Sequence, residues 1–236
     1  EVHFERRVEE LIVRNGRVEG VIAGGDRVEA QAVVIATGHS ARDIYYMLHR
    51  SGVRLEAKAY AMGVRIEHPQ QLINNIQYHR SPEMEYLPSA SYSLVAQVGG
   101  RGVYSFCMCP GGEVVASASE EGGVVTNGMS YFKRDGENAN SALLVNVTPQ
   151  DLQGDDVLEG CRFQRDIEKK AYDVCGGYIA PYQTVGDFLY DNDAQPTVNP
   201  TYKPGVKKCK LENVFPHFIT DAMKEAIPEL DKKLKG

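Results

Sequence analysis

Apolar and polar positions change rhythm several times along this chain. Val8 to Arg14 is apolar-rich and stops at Asn15-Gly16, a pair suited to the two positive-φ positions of a tight hairpin turn. Arg17 to Ile22 returns with partial alternation, Gly24-Gly25-Asp26 turns again, and Arg27 to Ala30 completes a three-stranded meander. The next run, Ala32-Val33-Val34-Ile35-Ala36, is apolar without interruption, which predicts a strand buried on both faces and ending at Thr37-Gly38. Ser40 and Asp43 stand at capping-box spacing. They predict a helix over 41–51 with Ile44, Met47 and Leu48 on one face and Gly52 as its stop.

Period-two alternation resumes at Tyr60 to Glu67, with Arg65 and Glu67 on one face and Val64 and Ile66 on the other. Pro69 then fits the first position of a helix carrying Leu72, Ile73 and Ile76. From Ser91 to Val147 short apolar segments (92–96, 102–106, 113–116, 123–125 and 142–145) are separated by Gly and Asn, a spacing that predicts a mostly antiparallel sheet. Phe163, Ile167, Ala171 and Val174 recur at helical spacing, predicting a helix over about 155–175 before Gly176-Gly177. Gly186-Asp187-Phe188 reads as a turn and Asp191 to Pro204 as a polar, mobile loop. Phe215, Phe218, Ile219, Ala222, Met223 and Ala226 form the stripe of a last helix, with Pro216 in its first turn and Pro228 beyond its end. The pattern as a whole is α+β, divided into an opening meander-and-helix region over 1–58 and a larger β-rich region over 59–236.

Composition narrows the function classes. A net charge of −6, with no basic run, excludes an ordinary nucleic-acid surface. No apolar run approaches the ~20 residues of a membrane span. Five cysteines in a chain of 236 residues suggest reduced thiols and a cytoplasmic setting, not a disulfide framework. The chain opens without Met at strand-like Val2-His3-Phe4 and stops at Leu234-Lys235-Gly236, just after a helix, as a piece cut from a longer protein would.

A meander leading into an apolar strand that ends Ala36-Thr37-Gly38 resembles the middle of the two-dinucleotide-binding flavoproteins. The longer series ATGHSARD, GVRIEHP, CMCPGG, NGMS and GDF resembles a narrower group, the bacterial FAD-dependent, "NAD(FAD)-utilising" dehydrogenases. That resemblance implies an antiparallel β-meander at the edge of an FAD-binding domain, joined to a mostly antiparallel substrate or cap domain with flanking helices. It implies that Ala36, Thr37, Gly38, His39 and Ser40 lie along FAD and that Val8 presents backbone to the adenine. It also implies NAD(P) as a second cofactor, although no motif for nicotinamide stands in the sequence. The Gly-x-Gly-x-x-Gly turn that such enzymes place at the pyrophosphate is absent from these residues, since Gly99-Gly100-Arg101-Gly102 has the wrong spacing and runs into a strand. Weak FAD binding, or none, is therefore expected of the chain alone, whose partner would be the N-terminal FAD-binding portion of the same protein.

Candidate chemistry lies in the β-rich region. Arg65 could anchor an anionic substrate or steady the charge of a reduced flavin, with Glu67 as its partner; the competing reading is a solvated or structural pair. On a regular strand Cys107 and Cys109 would share a face with Cα atoms ~7 Å apart, at the edge of disulfide reach. They read as a flavin-linked redox pair with Cys109 as a catalytic candidate, or as two small side chains entering the Pro110-Gly111-Gly112 turn. Asn127 and Ser130 supply neutral donors that suit substrate binding and turn formation equally well, as do Asn138, Asn140 and Ser141. His39 and Ser40 read either as turn and capping residues or as groups placed by a helix start near the cofactor, and Asp187 as a turn residue or a ligand for a cofactor hydroxyl. No cluster has metal-ligand spacing. The function these features suggest is hydride transfer through FAD to a small molecule. A non-catalytic binding or assembly module, or a thiol-disulfide reductase using Cys107 and Cys109, is the alternative. An apolar stripe on the last helix is compatible with a homodimer.

Overall fold

The computed structural model describes residues 1–81, 84 and 86–234. Lys235 and Gly236, on which part of the reading of the chain end rests, lie outside them. The chain forms two compact units. The first comprises Glu1–Lys58 together with Leu152–Phe163, and the second comprises Ala59–Asp151 together with Gln164–Gly236. The architecture is α+β with mostly antiparallel sheets.

In the first unit β1 (Val8–Arg14), β2 (Arg17–Ala23) and β3 (Asp26–Glu29) form an antiparallel meander in the order β1-β2-β3. Asn15 and Gly16, at φ 50° and 74°, make the first turn in the left-handed conformation their side chains tolerate. Helix α1 (Arg42–Arg50) buries Ile44 and Met47.

Three expectations for this unit are corrected. Val2-His3-Phe4 is not a strand, and Val2 and Phe4 are exposed. Ala32 to Ala36 forms no regular element and is unpaired, with Val34 88% exposed. A strand buried on both faces needs a neighbour on each side, and among the described residues none pairs with this run. Third, Ser40 does not cap α1. The N-cap is Ala41, which makes no side-chain cap bond, and Ser40 Oγ instead lies 3.3 Å from His39 Nε2. Asp43 bonds Arg7 Nη2 at 2.6 Å.

The second unit is built on a four-stranded sheet in the order β4-β9-β6-β5, all neighbours antiparallel. These strands are β4 (Tyr60–Pro69), β5 (Val95–Val98), β6 (Arg101–Cys109) and β9 (Asn138–Val147). The long β4–β9 ladder sets Arg65 opposite Ala142 and Glu67 opposite Asn140. Strand β6 sets Phe106 opposite the same Ala142 and Cys109 opposite the same Asn140. Directly opposed residues share a face. One face therefore carries Arg65, Ala142 and Phe106 in one row, and Glu67, Asn140 and Cys109 in the next. The other face carries Val103, Leu143 and Val145, all buried.

A second hairpin, β7 (Gly112–Ala116) with β8 (Thr126–Ser130), follows the Pro110-Gly111 turn. Helix α2 (Gln70–Tyr78) packs Ile73 with Ala90, Tyr92 and Ala139. Helix α5 (His217–Asp231) lies against β5, β6 and β9 and buries Ile219, Met223, Ala226 and Leu230. Between them run α3 (Glu159–Cys175), which crosses from the first unit into the second, and α4 (Val185–Tyr190), which is flanked by the short parallel pair β10 (Ala180–Tyr182) and β11 (Val206–Lys208).

Several local expectations give way here too. Pro69 ends β4 and is the N-cap of α2, not its first residue. Gly186-Asp187-Phe188 is helical, because Thr184 caps α4 by accepting from the Asp187 amide. Pro216 is the N-cap of α5 and Pro228 stands inside that helix. Val124 and Val125 precede the strand that holds Asn127 and Ser130, and Asn138-Ala139-Asn140-Ser141 opens β9. These polar runs are strands because ladder partners pair their backbone, which outweighs the turn preference of Asn, Gly and Ser. The 191–204 loop is anchored: Thr201 Oγ1 accepts from the Val114 amide at 2.7 Å, and Tyr202 is buried.

Candidate functional site

A polar constellation of the second unit gathers on the sheet face that carries Arg65. Arg65 reaches across β9 toward β6. Its Nε donates to Asn140 Oδ1 at 3.0 Å, and its Nη2 donates to the same oxygen, to Cys107 O at 3.0 Å and to Cys109 Sγ at 3.4 Å. All of these acceptors are neutral. Glu67, two residues along the same face, is not the partner of Arg65: its carboxylate accepts from Thr201 Oγ1 at 2.6 Å, from the Thr201 amide and from Asn138 Nδ2. It ties the 199–201 loop to β4, a structural role.

Asn140 is fully buried. Its Oδ1 is consumed by Arg65, while its Nδ2 is buried without a partner, and a buried amide donor left unmet is uncommon enough to mark a site. Gly128 closes the constellation from β8. A Cβ there would lie 1.8 Å from Arg65 Nη2 and 2.2 Å from Asn140 Oδ1, so the guanidinium occupies space that only glycine leaves.

The thiols are arranged otherwise than a regular strand would place them. The β6–β9 register shifts between Phe106 and Cys109, and Cys107 sits at φ 44°, a left-handed value that non-glycine residues seldom adopt. The bulge leaves Cys107 exposed and Cys109 half-buried, both as free thiols, and Cys109 Sγ donates to Cys107 O at 3.2 Å. Ser130 joins the group through Pro110, whose carbonyl accepts from its Oγ at 2.8 Å. Asn127 does not join it: it is exposed on the opposite side of β8 from Gly128, with its Oδ1 accepting from the Gly128 amide.

Behind this face lies a second polar pair that the sequence did not single out. His68 Nε2 is 2.6 Å from Tyr92 Oη. Burial pulls the His68 pKa down to about 4. Burial likewise pushes Tyr92 up to about 12, against the opposing effects of the Ser141 hydrogen bond and the Arg65 charge. A neutral imidazole and a neutral phenol thus share a short hydrogen bond.

The residues expected along FAD all lie in the first unit. Val8 is half-buried and pairs with Ala23 in the β1–β2 ladder. Ala36, Thr37, Gly38 and His39 are exposed, and the backbone from Ala32 to Gly38 makes no hydrogen bond among the described residues. Gly38 has φ 79° with open space where a Cβ would stand. No Gly-x-Gly-x-x-Gly turn of the kind that holds a pyrophosphate stands in the sequence.

Asn140 stood in the sequence within a polar cluster, but its pairing with Arg65, and the clearance left by Gly128, could not be read there. The available signal was the i, i+2 spacing of Asn138 and Asn140, which repeats that of Arg65 and Glu67 and suits two facing strands.

This is a mixed α+β protein with an arginine-centred polar face on an antiparallel sheet. A family model described as FAD-dependent protein, C-terminal domain-like matches residues 59–236. The chain belongs to that family. It is also 47% identical over 241 aligned residues to an uncharacterized protein of Clostridium beijerinckii, a match covering 100% of this chain and 45% of that protein. The chain thus spans about half the length of the curated relative it matches. No helix among the described residues is long and apolar enough to cross a membrane.

Proposed function

We propose that this chain forms the substrate-facing part of an FAD-dependent dehydrogenase together with one flank of its cofactor site. The observation that carries the reading is the Arg65 constellation: a half-buried guanidinium held by neutral partners, in a family described as FAD-dependent. FAD, when bound, would accept or return a hydride, exchanged with NAD(P)H or a small-molecule substrate. The chain's own residues would orient and charge-balance the reacting partner. Arg65 would supply fixed positive charge, Gly128 the clearance for it, and Asn140 and the Cys107 carbonyl the acceptors that hold it. Ala36 to Ser40, with Val8, would lie along the dinucleotide, whose remaining contacts come from an N-terminal portion of the same protein.

Flavin titration and NAD(P)H oxidation, run side by side on this chain and on a full-length protein containing it, test the reading. The expected result is weak or no flavin binding by the 236-residue chain and flavin-dependent NAD(P)H oxidation by the longer protein. A full-length protein that holds no flavin would overturn it, and a tight flavin isotherm from the short chain would overturn the single-flank assignment.

The bulge at Cys107–Cys109 favours one second reading, electron exchange with a disulfide substrate. In that case Cys109→Ser in the full-length protein abolishes disulfide reduction. Under the first reading the same variant keeps NAD(P)H oxidation.

A further inference from the structure

We propose that Arg65 is the seat of a substrate carboxylate, and that the substrate is a small organic acid whose apolar body lies on Phe106. The inference deepens the reading above and rests on its assignment of this face to the substrate.

The donor count of Arg65 comes first. A guanidinium has five N–H groups in a planar fork. Nε and Nη2 are engaged by Asn140, Cys107 and Cys109. The two N–H groups of Nη1 have no partner among the described residues, and no carboxylate pairs with the charge there. An Arg held in place by neutral acceptors keeps its charge and its Nη1 donors for a ligand, and a carboxylate oxygen is the group that answers such a donor with a charge-assisted hydrogen bond. Glu67, the one acid on the same strand face nearby, is withdrawn by Thr201 and Asn138. Gly128 leaves the clearance in which the guanidinium stands, and Asn140 keeps a buried amide without a partner beside it.

The floor next to Arg65 gives the rest of the ligand its character. Ala142 is the common cross-strand partner of Arg65 and Phe106. Strands lie about 4.8 Å apart, so Phe106 stands roughly two strand spacings from Arg65 across a methyl group. Phe106 is 56% exposed, and the next row of this face continues with Tyr104 and Leu144. The guanidinium itself reaches β6 at Cys107, next to Phe106 in the chain, so an aromatic or branched aliphatic body one ring in size suffices to rest on Phe106, whereas a dicarboxylate would place its second charge on apolar surface.

Benzoate and the isosteric neutral benzamide are the probes. Their binding to the 236-residue chain is followed by amide and aromatic NMR shifts at Gly128 and Phe106 and by calorimetry, for the parent chain and for Arg65→Gln, Arg65→Lys and Phe106→Ala. Benzoate is expected to bind about tenfold or more tighter than benzamide. Arg65→Gln should erase that preference, Arg65→Lys should retain part of it, and Phe106→Ala should weaken both probes alike, each with an unchanged far-ultraviolet dichroism spectrum. Equal binding of the two probes, a preference that survives Arg65→Gln, or no binding of either overturns the proposal. Neither probe needs flavin. A full-length protein without flavin whose Arg65 still selects benzoate would therefore sink the flavin reading and leave this one. If Arg65→Gln shifts the flavin midpoint potential in the full-length protein while benzoate selectivity is intact, Arg65 serves the flavin and the carboxylate assignment is lost.

Discussion

At the scale of single residues, the site depends on clearance as much as on charge. Gly128→Ala inserts a methyl group where Arg65 Nη2 and Asn140 Oδ1 already stand. Arg65 Nη2 is the far end of a flexible side chain and can swing away. Asn140 is fully buried and lacks that freedom, so the expected stability cost is about 1–3 kcal/mol, while Arg65 loses its bonds to Asn140 and Cys109 and the anion preference collapses. Denaturant titration and the benzoate–benzamide comparison on the same variant check both halves. Glu67 behaves in the opposite way. Its three donors make it a structural anchor, so Glu67→Leu should cost about 2–4 kcal/mol by stranding Thr201 and Asn138, measured as a lower urea midpoint. Arg65 and Glu67 were visible in the sequence as one face of one strand. Their opposite fates were not, because Thr201 and Asn140 approach from far along the chain.

At the scale of elements, burial of His68 between β4 and Tyr92 makes part of the stability pH-dependent. Its folded pKa, about 4, lies below the unfolded value of 6.5. Below pH 6.5 the unfolded chain therefore binds a proton that the folded chain refuses. This contribution is fully present above 6.5 and is lost as pH falls toward 4, a decline of about 3 kcal/mol if the shift holds in full. His68→Gln should flatten the curve in that window, as read from urea midpoints at pH 7.5, 5.5 and 4.5.

A second element-level tie joins the β5–β6 hairpin to the end of β9. Arg101 pairs with Asp151 through two hydrogen bonds of 2.6 and 2.8 Å and stacks 4.9 Å over the Phe218 ring of α5. The Arg101 guanidinium holds the Asp151 carboxyl far below the usual range. Asp151→Asn should destabilise by about 2–4 kcal/mol at neutral pH, since it leaves a largely buried Arg without its counter-charge. That loss should shrink as pH falls below the ordinary carboxylate range, where the unfolded parent chain takes up a proton that the folded Asp151 refuses, so the ion pair contributes less to stability. Thermal unfolding at pH 7 and pH 2.5 distinguishes the two.

Elements differ in how far they could be foreseen. The Asn15-Gly16 hairpin, α3 and α5 are encoded within a dozen or so neighbouring residues, and all three form near their expected places. The order β4-β9-β6-β5 depends on pairing across long separations that periodicity does not register. The bulge at Cys107 is equally local to the sheet and invisible to it in advance: alternation assumes a regular pleat, and one extra residue undoes the expected facing of the two thiols.

At the scale of the whole molecule, α3 is, among the described residues, the one helix whose residues fall in both units. Leu152–Phe163 belongs to the first unit while Gln164–Gly236 belongs to the second, so one helix starts in one unit and ends in the other. Within the first unit, Asp156 and Glu159 bond Arg162, and Leu158 is buried. A chain beginning at Ala59 would retain every strand of the β4-β9-β6-β5 sheet and helices α2, α4 and α5. It would lose the meander and α1, against which the 152–163 segment is grouped. Hydrogen exchange on such a chain should therefore show protected amides in β4, β6 and β9 with rates near those of the parent, and faster exchange confined to the first turns of α3. If the sheet itself loses protection, the 59–236 region is not an independent folding unit and the meander is part of its core. If the start of α3 stays protected, its own capping and ion pairs suffice to hold it, and the helix does not report on the first unit at all.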